Sequence, residues 1–120
     1  MDLLKVLKAI SDETRYKLLI LLLKHDLCVG ALAIRLKISE AAVSQHLKVL
    51  RNADIVKGDK RGYYTHYYVE RKLLEEAAQQ IAELAHIVKA DEKCHQNLSK
   101  NYSCSRRGGN KDVSRTLRTS

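Results

Sequence analysis

Between Val29 and Leu50 the chain repeats apolar residues at helical spacing, breaks off for three residues and then resumes the same spacing. Val29 to Leu36 forms one short helix in this reading, Lys37 to Ser39 a tight turn, and Glu40 to Asn52 a second helix. Ser39 stands where a side-chain oxygen can accept from a free amide of the second helix's first turn. Ala33 is small where the two helices must approach, and Leu32, Leu36, Ile38, Val43, Leu47 and Leu50 fall on the inward side. The outward side keeps Ser39, Glu40, Ser44, Gln45, His46 and Lys48. Two helices joined this tightly, apolar inside and hydrogen-bonding outside, have helix-turn-helix geometry.

The flanking segments give this unit a core. Leu3, Val6, Leu7 and Ile10 repeat at helical spacing, and Ser11 or Asp12 caps a second helix of about residues 12 to 25. That helix carries Tyr16, Leu18, Leu19, Leu22 and Leu23 around most of its circumference and is expected to lie at the centre of the core. After residue 54 the period changes. Tyr63, Thr65, Tyr67 and Val69 alternate with Tyr64, His66 and Tyr68, a strand pattern that implies a hairpin with its turn at Gly58 to Gly62. A final helix follows, with Leu73 or Leu74, Ala77, Ile81, Leu84, Ala85 and Val88 in one apolar stripe. This is more than a small domain covers by itself, so dimerisation through the first and last helices is expected. At 120 residues one domain is the natural count. The expected fold is mainly α with a β-hairpin wing, a winged helix-turn-helix over residues 1–93 followed by a flexible basic tail over 94–120 that contains cysteines.

A helical hairpin with a solvated outer face is by itself common in α-rich domains. The basic hairpin beside it points to nucleic acid, because Lys57, Lys60 and Arg61 would reach the neighbouring backbone or minor groove. The net charge of +8 agrees with an anionic partner, and six Lys or Arg against Asp112 in residues 96–120 make the tail the more basic part. In the second helix, Gln45 is the first candidate for base contact, with Ser44, His46, Lys48 and Glu40 around it. Ser39 and the free amides of the helix start suit a phosphate. The hairpin tyrosines are expected to pack across strands, with at most one hydroxyl, Tyr64 being the candidate, reaching a phosphate. The longest apolar run, Leu18 to Leu23, is far too short to span a bilayer, and with no targeting signal apparent the expected location is the cytoplasm. No Gly-rich phosphate loop or Cys-x-x-Cys motif is present, and Cys94 beside His95 has no carboxylate placed to orient the imidazole. An enzyme is not expected.

Three stretches resemble the ArsR/SmtB family of metal-sensing repressors: Leu7 to Arg15 (LKAISDETR) its opening signature, Ala41 to Leu50 (AAVSQHLKVL) its recognition helix, and Lys60 to Tyr64 (KRGYY) its wing. The likeness covers roughly residues 2–90. It implies a homodimer on double-stranded operator DNA that represses its own operon until an effector lowers DNA affinity. The chain departs from the family at Lys37, where glycine is common, and in the metal box, where Leu27-Cys28-Val29-Gly30 keeps only the first cysteine of a Leu-Cys-Val-Cys pattern. The family's last-helix zinc spacing is absent around His86 and His95. Cys94 and Cys104, with Cys28 as a third donor, form the remaining candidate set for a thiophilic effector, As(III) first. A Cys94 to Cys104 disulfide redox sensor, a metal buffer and a regulator without effector stay open as alternatives, and no cofactor is required for folding.

Overall fold

The computed structural model describes residues 1–91. Five helices and one hairpin follow in the order α1 (Leu3–Ile10), α2 (Glu13–Lys24), α3 (Val29–Leu36), α4 (Glu40–Asn52), β1 (Val56–Arg61), β2 (Tyr64–Val69) and α5 (Arg71–Leu84). Residues 1–87 form one compact unit, and residues 88–91 carry no regular secondary structure. No helix among the described residues is long and apolar enough to cross a membrane.

The first two helices are set by carboxylate caps. Asp2 accepts from the Lys5 amide and Asp12 from the Arg15 amide, each satisfying an orphan donor of the first turn. The core is continuous across α1 to α4 and the hairpin base: Val6, Leu18, Leu32, Val43, Leu47, Leu50, Ile55 and Val56 are all buried. The central position expected of α2 holds for Leu18, Leu19 and Leu22, but Tyr16 is half-exposed, so the helix buries one side rather than its circumference.

Two helices end on a non-glycine residue in the left-handed region. At the end of α3, Lys37 adopts φ 59 and ψ 42, its amide donates to the Ile34 carbonyl, and the Ile38 amide reaches the Ala33 carbonyl. Ile38 packs against the core. At the end of α4, Asp54 has φ 62, its amide donates to Arg51, and Ile55 donates to Leu50 while fully buried. Both are Schellman closures, in which a left-handed residue turns the chain and the apolar residue after it is driven into the core. The first sets α4 against α3. The second aims the chain into β1.

The hairpin pairs Val56 with Val69 through Arg61 with Tyr64 in antiparallel register. The turn is therefore the two residues Gly62 and Tyr63, not the five residues Gly58 to Gly62 expected from the sequence. Gly62, at φ 63, supplies the positive φ that the first position of a tight two-residue hairpin turn requires. The charges of residues 59–61 read as a loop, yet they stand on a solvent-facing strand. Gly58 lies within that strand opposite Tyr67, and a Cβ there would come within 3.0 Å of Thr65 Cγ2 and 3.2 Å of Tyr67 Cε1. Its role is close approach.

The last helix is shorter than its apolar stripe. After Leu84 the amides of Ala85, His86 and Ile87 donate to carbonyls three residues back, so the coil tightens and stops. Ala77 is buried and Leu73 and Leu74 pack on the core, but Ile81 and Leu84 are exposed. Helical turns with no packed face have little beyond propensity to hold them.

Two substitutions test this framework by chemical denaturation. Lys37→Gly relieves the left-handed strain and is expected to raise stability by about 1 kcal/mol. Leu50→Ala empties a fully buried site and is expected to lower it by about 2 to 5 kcal/mol.

Candidate nucleic-acid interface

Helix α4 is placed by its buried side, Val43, Leu47 and Leu50, so its opposite side is held outward. Glu40, Ser44, Gln45 and Lys48 are all exposed there, and Ser39 is exposed at the cap. The Ser39 Oγ accepts from the Ala42 amide at 3.0 Å, which leaves its own hydroxyl proton to donate outward. Glu40, in the first turn, suits the positive end of the helix dipole but opposes a phosphate at that end.

His46 departs from the outward set. It is half-buried, with Nδ1 3.4 Å from an Arg15 guanidinium nitrogen and 3.9 Å from an Asp12 carboxylate oxygen. Arg15 also donates from Nε to the Ala9 carbonyl at 2.6 Å. Asp12, besides capping α2, is held below the usual carboxylate range, chiefly by the Arg15 amide and further by the charges of Arg15 and His46. This cluster ties the middle of α4 to the start of α2, and His46 is spent on it.

The wing presents Lys57, Lys60, Arg61 and Tyr64, all exposed. They are not equivalent. Asp26, in the loop between α2 and α3, accepts from an Arg61 guanidinium nitrogen and lies 2.9 Å from His66 Nδ1, while Asp59 accepts from Arg61 Nε at 3.1 Å. The two neighbours hold the Asp26 carboxyl below its ordinary range, His66 first and Arg61 second. Arg61 is correspondingly held more firmly in its charged form, by Asp26 first and then Asp59. A backbone bridge between Cys28 and His66 fixes the same loop to β2. Lys57 and Lys60 make no ion pair among the described residues, so they are the free cations of the wing. The tyrosines split as well. Tyr67 packs on the core, but Tyr63 at the turn tip is fully exposed and Tyr64 mostly so, which corrects the expectation that all four pack across strands.

Cys28 is half-buried at the start of α3, in a groove that Glu40, Tyr63, Tyr64 and Tyr67 also line. No three His, Cys, Asp or Glu side chains converge on a metal-sized site among the described residues. Cys94, His95 and Cys104 lie outside the described residues. Sequence reasoning missed Asp26 and His66 and saw Asp12 only as a cap and Arg15 only within the opening signature, because their long-range contacts span up to 40 residues and leave no local pattern. It also missed Arg51, which stands over the Tyr67 ring at 5.9 Å from its centroid.

A helix-turn-helix with an exposed polar second helix, flanked by a basic two-stranded wing, defines a winged-helix DNA-binding regulator. Residues 12–57 match the family model described as bacterial regulatory protein, arsR family. The chain is 38% identical over 92 residues to a cadmium resistance transcriptional regulatory protein CadC homolog of Staphylococcus aureus, covering 72% of this chain and 76% of that one. It is 35% identical over 72 residues to the transcriptional repressor SdpR of Bacillus subtilis, covering 60% and 80%. Its fold is similar to that of an ArsR-like transcriptional regulator from Rhodococcus sp. RHA1, with TM-score 0.66 and 31% identity over 70% of this chain and 79% of that one. The chain belongs to the ArsR family of transcriptional regulators, and it is not an enzyme.

The latch on the wing has a pH dependence of fixed sign. Asp26 is depressed in the fold, so its contribution is present above the ordinary carboxylate value of about 4 and is lost as pH falls through the lower folded value. The protection factors of the β2 amides, that is, exchange rates corrected for the pH dependence of intrinsic exchange, are therefore expected to fall on acidification below about pH 4. In Asp26→Asn, the β2 protection factors are expected to be as low at neutral pH as those of the parent in acid.

Proposed function

We propose that the chain is a homodimeric repressor that binds a roughly palindromic operator and is released by a thiophilic effector, As(III) in the first instance. The observation that carries the DNA-binding part is the exposed row Ser44, Gln45 and Lys48 on a helix locked in place by its own buried side. Two such helices would enter successive major grooves, with Gln45 reading a base edge. Ser39, Lys57, Lys60 and Tyr64 would hold the backbone, and Arg61 would join them only by exchanging Asp26 for phosphate. Glu40 and His46 would act from the edge of this surface, His46 through its hold on Arg15.

The dimer is supported by the apolar surface left on α1 and α5. Leu4, Ile81, Leu84 and Ile87 are exposed, and Leu3, Leu84 and Ile87 line a shallow groove with Gln80 and Glu83. A second copy bringing the same surface would cover it in a self-complementary contact. A regulator of this kind works in the cytoplasm, where thiols stay reduced.

For the effector, the part of the staphylococcal relative in cadmium resistance favours a soft ion. The donor set proposed is Cys94 and Cys104, with Cys28 from the same or the partner subunit. Linkage then requires that an effector favouring one dimer geometry weaken DNA binding to the same degree that DNA weakens the effector.

Fluorescence anisotropy on the DNA upstream of the gene tests the reading. Specific binding that weakens steeply with salt is expected, and Gln45→Ala should lose about ten- to hundredfold on the operator with little change on unrelated DNA. Arsenite should release wild type but not the Cys94→Ser/Cys104→Ser double variant. Binding indifferent to arsenite would remove the effector, and absence of binding would remove the repressor.

A further inference from the structure

Between the C-terminal half of α4 and the wing lies a cleft of about 470 Å³ lined by Ser44, Leu47, Lys48, Arg51, Asn52 and Tyr67. It holds two cations, a hydroxyl and an amide, and no carboxylate. Among the described residues neither Lys48 nor Arg51 has an acidic partner within ion-pair distance. Three other arginines are committed to the fold: Arg15 donates to the Ala9 carbonyl, Arg71 to the Leu23 carbonyl, and Arg61 to two aspartates, whereas Arg35, like Arg51, makes no side-chain hydrogen bond or ion pair among the described residues. Arg51 is instead steadied by the face of Tyr67, whose ring is packed on the core. Its guanidinium is oriented by a surface that uses none of its five N–H donors.

We propose that this cleft seats a phosphate of the DNA backbone at the wall of the groove that α4 enters. Arg51 and Lys48 would supply the charge, Ser44 and Asn52 neutral donors, and Tyr67 would act as a positioning residue behind Arg51. The proposal rests on the DNA-binding reading above and adds Arg51, Asn52 and Tyr67 to it. Helical rise puts Arg51 roughly 9 Å along the axis from Gln45. Ser44, Lys48 and Arg51 follow at i, i+4 and i+7 on one face of α4, with Arg51 turned about 120° from Gln45 and toward the wing, so Arg51 would meet the backbone beside the bases that Gln45 reads. An arginine in a last helical turn also complements the helix dipole. That role does not require Ser44, Lys48 and Asn52 to share a concave wall free of acids.

The test is anisotropy over a salt series with two labelled duplexes, the upstream DNA and an unrelated sequence of equal length. For Arg51→Gln, the slope of log affinity against log salt is expected to fall by about 1, with about fivefold weaker binding to both duplexes at physiological salt. Arg51→Lys, which keeps the charge, should retain the slope, and Lys17→Gln on α2 should match wild type. Replacing backbone phosphates one at a time by uncharged methylphosphonate should reveal one position where wild type loses as much as Arg51→Gln does, and where the two losses do not add. An unchanged slope in Arg51→Gln overturns the proposal, as does a loss confined to the upstream duplex, which would make Arg51 a base reader. Inorganic phosphate alone shifting the Arg51 side-chain resonance, with the DNA slope of Arg51→Gln equal to wild type, would assign the cleft to a small anion and overturn it too. Failure of wild type on both duplexes would instead bring down the DNA-binding reading itself.

Discussion

The left-handed residue Lys37 is the constraint on which the reading head depends. By closing α3 with two backbone hydrogen bonds and sending Ile38 into the core, it fixes the direction in which α4 leaves. Once that direction is set, the burial of Val43, Leu47 and Leu50 determines the rotation of α4 about its axis, and with it which residues face outward. The same device at Asp54, with Ile55 buried, carries the chain from α4 into the wing. Helix and wing thus hang from one another through backbone geometry, with few side-chain contacts needed to keep their angle.

On this frame, polar clusters make the finer adjustments. Asp26 joins the α2–α3 loop to the wing through Arg61 and His66, and Asp12 joins the start of α2 to α4 through Arg15 and His46. Ion pairs as exposed as the Asp26 pairs add little to stability. Their effect is directional. A two-stranded hairpin has only its base in the core and would otherwise swing on it.

Much of this architecture was legible in the sequence because it follows from short-range rules. The two-helix unit, its Ser39 cap and the strand alternation around Tyr67 each announce themselves within a few residues, whereas Lys37 stands out only against the glycine common in the family. The hairpin turn is not legible in the same way, because the run of charges suggests a loop whereas the conformational requirement falls on Gly62 alone. The exposed side of Tyr16 and the tip position of Tyr63 depend on which surfaces find a partner, which composition does not state. The exposed row on α4 is readable from helical periodicity. Turning His46 inward is not, because that depends on an arginine 31 residues earlier, and the Arg51 cleft forms only when β2 folds back beside α4.

The pairing of Arg61 with Asp26 and Asp59 also bears on how the protein meets DNA before they touch. A cation flanked by two carboxylates is felt at a Debye length as no attraction at all. On the proposed DNA-binding reading, Arg61 would add little to the pull on an approaching duplex, and on this face Lys48, Arg51, Lys57 and Lys60 would supply it instead. An off-centre field of this kind would exert a torque as well as a pull, favouring encounters with α4 turned toward the groove. Asp26 would then shape the rate and orientation of association without being part of the contact.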